Sequence, residues 1–117
     1  MAAKSDVDTQ PASVHKLLGN ERRNLLIRYL SLFEENASVT VRHIARVIRG
    51  IETGTPPTQV STGDYESAYN GLIQTHLPKL SARGLIEYDE SAKEVVVTPC
   101  LQRYASISVL AQLAISV

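Results

Sequence analysis

His76-Leu77-Pro78-Lys79-Leu80-Ser81-Ala82-Arg83-Gly84-Leu85-Ile86-Glu87-Tyr88 holds a helix end, a turn and a strand start in one short stretch. Leu77 and Leu80 stand three apart and dock a helix on a core. Gly84 supplies the left-handed turn, and Leu85 and Ile86 begin a strand. Read backwards, the helix extends to about Tyr65, capped by Asp64. Its inward positions are Tyr65, Tyr69, Leu72, Ile73, His76, Leu77 and Leu80. The opposite face carries Ser67, Asn70, Gly71, Gln74 and Pro78, with Thr75 and Lys79 at its margins. Pro78 lacks a backbone donor and predicts a kink. Read forwards, Leu85–Tyr88 and Glu94–Thr98 are strand-like runs. Asp89–Lys93 is the polar turn of a β-hairpin between them.

Upstream, residues 1–12 read as a flexible tail. Ser13 caps a short turn over Val14–Leu18 that Gly19 stops. Asn20 caps a longer helix from Glu21 to near Asn36, with Leu25, Leu26, Tyr29, Leu30 and Phe33 inward. Ser38–Thr40 is an extended lead-in. Thr40 caps a second helix from Val41 to about Ile51, with Ile44, Val47, Ile48 and Ile51 inward. Arg42, Arg46 and Arg49 fall at i, i+4 and i+7 on it and form one stripe. Gly50 weakens its last turn. Glu52–Gly63, with Pro56-Pro57 inside it, is a loop with a short turn around Gln59–Ser61. Pro99 opens a last helix to Val117. The expected fold is mainly α with a small β-hairpin: a winged helix-turn-helix over residues 13–98, with an additional C-terminal helix over residues 99–117.

The chain has 117 residues, 44% of them hydrophobic, which suits one domain. One Cys cannot form an internal disulfide or a multi-cysteine zinc site. Met1–Gln10 has no apolar run, so no signal peptide is expected, and the expected location is cytoplasmic. Twelve basic residues balance twelve acids, which argues against a nucleic-acid partner. The charges are unevenly spread, however. Residues 15–49 hold seven bases against three acids, and residues 50–117 hold four bases against seven acids.

No nucleophile stands at a spacing from a base, and no glycine-rich phosphate loop is present, so no enzyme is expected. His15, His43 and His76 lack ligand spacing. No metal, cofactor or small-molecule ligand is expected. His76 is expected to be packed with a satisfied ring nitrogen, and Cys100 to be a buried, inert thiol.

His76-Leu77-Pro78-Lys79-Leu80 followed by Gly84-Leu85-Ile86 resembles the third helix and first wing strand of winged-helix transcription regulators. The likeness extends through Leu17-Leu18-Gly19-Asn20-Glu21-Arg22-Arg23, Tyr29-Leu30, the Glu52–Gly63 loop, Tyr69 and Gln74-Thr75-His76-Leu77-Pro78-Lys79-Leu80. Over about residues 14–98 the chain is similar to small, largely uncharacterised archaeal winged-helix domains of salt-loving organisms. That resemblance implies a DNA-binding regulator. Two departures stand out. Asp64 and Glu66 lie where relatives often carry basic residues, and the chain is neutral where such proteins are usually acidic.

On this fold, Asn70 and Gln74 would pair with adenine edges in a major groove, with Ser67 and Thr75 as further base contacts. Arg42, Arg46, Arg49 and Lys79 would hold phosphates. Gly71 would let a backbone approach closely. Arg22 and Arg23 are weaker phosphate candidates, and the wing tip offers only Lys93. Leu101, Tyr104, Ile107, Leu110 and Leu113 make the last helix more apolar than one small domain needs. They point to a homodimer on double-stranded DNA, or to packing on the first helix. The uninterrupted apolar part is too short for a membrane span. The competing expectation is a protein-interaction module that keeps the fold without binding DNA. The acids at the start of the third helix and the acidic wing motivate it.

Overall fold

The computed structural model describes residues 21–116. The expected tail, the turn over residues 13–19 and the Asn20 cap lie outside the described residues. Helix α1 covers residues 21–30 and buries Leu26, Ile27 and Leu30. It stops earlier than its apolar spacing suggests. The chain tightens into i→i+3 bonds from the Leu32 and Phe33 N–H groups, and Asn36 turns left-handed at φ 69°. Asparagine tolerates that conformation better than most residues. The Asn36 N–H then donates to the Val97 carbonyl (2.9 Å), which starts a strand pairing.

That strand is β1, Ser38–Thr40, and it is more than a lead-in. It pairs antiparallel with β3 (Glu94–Val97), which also pairs with β2 (Ile86–Asp89), giving the order β1-β3-β2. Val39 faces Val95 across one ladder, and Ile86 faces Val97 across the other. Val39, Ile86, Val95 and Val97 are buried, so one sheet face carries the core. In the hairpin turn, Asp89 Oδ1 accepts from the Ser91 and Ala92 N–H groups (both 3.0 Å). That local carboxylate–backbone bonding stabilises the turn.

Helix α2 spans Val41–Thr53. Thr40 Oγ1 accepts from the His43 N–H at its start, and Gly54 ends it at φ 70°. Its buried set is Val41, Ile44, Ala45, Ile48 and Gly50. Ile51, expected inward, is exposed, and Val47 is half-buried. Gly50 does more than weaken the last turn. A Cβ there would lie 2.6 Å from the Thr55 carbonyl oxygen, so glycine lets the loop fold back over α2. The loop's short turn is 3₁₀, at Pro57–Gln59, where Pro57 pre-sets the backbone.

Helix α3, Thr62–Gly71, is capped by Ser61 rather than Asp64; Ser61 Oγ accepts from the Asp64 N–H (3.2 Å). It runs unbroken through a π-helical turn, Leu72–His76, into α4, Leu77–Ala82. Pro78 explains the widened turn. It has no N–H for the Gln74 carbonyl, and its ring presses on that carbonyl. The Leu77 N–H instead reaches five residues back to the Leu72 carbonyl. At the far end, the Gly84 N–H donates to Ser81 and the Leu85 N–H to Leu80, with Gly84 at φ 74°. This paired closure needs a left-handed residue, as the sequence predicts.

Helix α5 spans Pro99–Ser116. Leu101 and Ala105 are buried in the common core with Leu26, Leu30, Ile44, Leu72 and Leu80. Gln102 Nε2 donates to the Phe33 carbonyl (2.6 Å) and ties α5 to the end of α1. Cys100, expected to be buried, is exposed, because it lies on the outer side of the first turn of α5.

Candidate nucleic-acid interface

The α3–α4 rod buries Ala68, Leu72, His76, Leu77 and Leu80. Ser67, Asn70, Gln74, Thr75 and Lys79 are exposed on its other side. The π turn lies within this rod, and Leu72 and Leu77, joined by the Leu77 N–H to Leu72 carbonyl bond, are both buried.

Gly71, expected on the open face, instead meets Arg22 of α1. A Cβ there would lie 2.9 Å from Arg22 Nη1. Arg22 is held by a bidentate pair to Glu52, Nε–Oε2 2.6 Å and Nη2–Oε1 2.7 Å. Arg49 also reaches Glu52 (Nη1–Oε1 3.1 Å) and grips Asp64 through Nη2 (2.9 Å) and Nε (3.3 Å). These four residues link α1, α2 and the start of α3. Burial opposes the Glu52 charge, but the hydrogen bonds from Arg22 and Arg49 outweigh it and lower the Glu52 pKa. The hydrogen bonds from Arg49 and Ser61 lower that of Asp64.

The arginine stripe is therefore divided. Arg49 is engaged by acids. Arg46 lies over the Tyr65 ring, Cζ 4.7 Å from its centroid, a cation–π contact that leaves its charge intact. Arg42 is exposed and forms no ion pair among the described residues. The two acids at the start of α3 also differ: Asp64 is neutralised by Arg49, whereas Glu66 is exposed. On the β2–β3 hairpin, the Asp89 carboxylate braces the turn, and Lys93 is half-buried at φ 55°.

His76 is packed, but its Nδ1 has no hydrogen-bond partner, contrary to the expected satisfied ring. Burial, then the charges of Arg23, Arg22 and Lys79, lower its pKa to about 4. The second histidine, His43, shares a 2.7 Å hydrogen bond between Nε2 and the Tyr29 hydroxyl, joining α2 to α1. Among the described residues, no group of three or more His, Cys, Asp or Glu is placed to hold a metal.

On α5, Leu101 is fully buried in its own domain, which removes it from the expected dimer contacts. Tyr104, Ile107, Leu110 and Leu113 are exposed. Among the described residues, no helix is long and apolar enough to cross a membrane.

Sequence reasoning missed Arg22 and Glu52 as a structural pair. They lie thirty residues apart, and neither belongs to a local motif. No curated protein and no solved structure matches the chain. A family model described as Domain of unknown function (DUF7344) matches residues 15–96, more than half of the sequence, so the chain belongs to that family.

Proposed function

We propose that the chain is a cytoplasmic winged helix-turn-helix regulator that binds duplex DNA through the outer face of α3–α4. One observation carries this reading: Asn70 and Gln74 stand a turn apart on an uncovered polar face, flanked by exposed Lys79 and backed by core. Side-chain amides match the donor–acceptor pair of adenine in the major groove. Ser67 and Thr75 add shorter contacts beside them. Lys79, Arg42 and Arg46 hold phosphates. Arg49 sets the angle of α3 through Asp64, and β2–β3 is the wing.

Fluorescence anisotropy with mixed-sequence and selected duplexes tests the reading. Binding at low salt is expected. Arg42→Glu with Arg46→Glu should abolish it on every sequence. Asn70→Ala with Gln74→Ala should flatten sequence preference and leave non-specific affinity. Absence of binding at low salt overturns the reading.

Exposed Glu66, on the same face, favours a second reading, in which this face docks a protein. A partner captured by wild type and lost in Asn70→Ala, with no DNA affinity in either, would establish it.

A further inference from the structure

We infer that the distal part of α5 is a homodimer surface, occupied by α5 of a second copy of this chain. This inference stands independently of the DNA reading. The first turns of α5 bury Leu101 and Ala105, and the helix then leaves the core. Ile107 and Leu110 are 64% and 65% exposed, Leu113 57% and Tyr104 41%. Ser106, Ser108, Ala111 and Ala114 are exposed too. After Arg103, residues 104–117 contain no charged side chain. Single exposed apolar residues need no explanation, but a contiguous set marks a contact surface.

The shape of the patch favours a second copy. Ile107 and Leu110 form a ridge. Beside them, between α5 and α1, runs a groove lined by Asn24, Ile27 and Arg28 of α1 and by Tyr104, Ala105, Ser108 and Ala111 of α5. Ridge and groove lie on one molecule, so a two-fold rotation seats each ridge in the other copy's groove. Charge agrees. The α5 side of the contact, residues 104–116, carries no charged side chain and is complementary to itself, whereas a charged peptide would bury unpaired charge against it. Residues 1–20 offer Val14, Leu17 and Leu18 but carry Lys4, Asp6, Asp8 and Lys16, so they match the face poorly. A helix lying on a lipid surface needs a basic polar face, which α5 lacks beyond Arg103.

The distal arm is about 20 Å long and about 10 Å wide, and half of such a cylinder offers roughly 400 Å² per copy. That is about half of a standard interface, the size of a weak, reversible contact.

Sedimentation equilibrium of the full chain, from low micromolar to near-millimolar concentration, tests the inference. The mass should rise from 12.8 kDa toward twice that value. Ile107→Glu with Leu110→Glu should remain at the lower mass with an unchanged circular dichroism spectrum. In a Cys100→Ser background, Ala111→Cys should form an interchain disulfide on oxidation, and Ser67→Cys should not. A mass of one chain at every concentration overturns the inference, as does a dimer that survives both glutamates. Binding of wild type to neutral phosphatidylcholine vesicles, lost with the glutamates, also overturns it and assigns the face to lipid.

Discussion

His76 should make this domain acid-sensitive in a defined window, and His76→Leu should remove that sensitivity. The imidazole is 5% exposed, and its Nδ1 finds no partner. Its pKa falls from 6.5 to about 4, through burial first and then through Arg23, Arg22 and Lys79. Between those values the unfolded chain takes up a proton that the native fold refuses. Stability is therefore intact above about pH 6.5 and declines as the pH falls toward about 4. With 1.36 kcal/mol per tenfold change, the loss from this residue is about 2 kcal/mol at pH 5 and about 3 kcal/mol at pH 4. Glu52 and Asp64 have lowered pKa values. Their contribution is present above the ordinary carboxylate range and is lost below it, so it lies at the acid edge of the His76 window.

Urea unfolding followed by circular dichroism at about pH 7.5 and pH 5 isolates the effect. Wild type should lose about 2 kcal/mol more than His76→Leu between the two conditions. Other histidines are common to both proteins and cancel. Leucine also removes the unpaired Nδ1, so the variant should retain or exceed wild-type stability at the lower pH. Equal pH dependence in the two proteins would refute the account of His76 as a buried neutral base.

Two glycine substitutions should separate rigid from yielding neighbours. Gly50→Ala drives a Cβ against the Thr55 backbone oxygen and should cost about 1–3 kcal/mol despite alanine's helix preference. Gly71→Ala meets only the end of Arg22, so the gain of about 1 kcal/mol in helix propensity should roughly cancel the disturbed Arg22–Glu52 pair. Denaturant midpoints in the opposite order would contradict this. Leu101→Ala should cost about 2–5 kcal/mol, and Leu110→Ala in dilute solution less than about 0.5 kcal/mol. Similar losses would mean that α5 packs alike along its length, against the burial of Leu101 and the exposure of Leu110.

Local pattern carried much of this fold. The Gly84 turn, the hairpin, the cap at Thr40 and the start of α5 at Pro99 each rest on a few neighbouring residues. The exposed set Ser67, Asn70, Gln74, Thr75 and Lys79 followed from helical spacing. What stayed hidden depends on distant pairing. Ser38–Thr40 is too short to show strand periodicity, and its strand character comes from Val95 and Val96, more than fifty residues on. Pro78 announced a distortion but not its form. The structure resolves it as a π turn over Leu72–His76, with Leu72 and Leu77 both in the core as helical spacing predicts. Gly71 looked open because its partner, Arg22, comes from another helix.

The charge pattern shows why the sign of a segment is a poor guide to a surface. Arg22 and Arg49 belong to the basic half of the sequence, and Glu52 and Asp64 to the acidic half. Folding joins these four into one network, so two arginines turn inward to fix helices. Arg42, Arg46 and Lys79 stay outside this network, and Glu66 is exposed. If these three cations alone meet DNA, the logarithm of affinity should fall against the logarithm of salt with a slope of about −2.7. An engaged Arg49 would steepen it to about −3.6. The slope thus reads whether Arg49 stays with Asp64 when DNA binds. A steeper value would mean that phosphate displaces the carboxylate and that the start of α3 moves on binding.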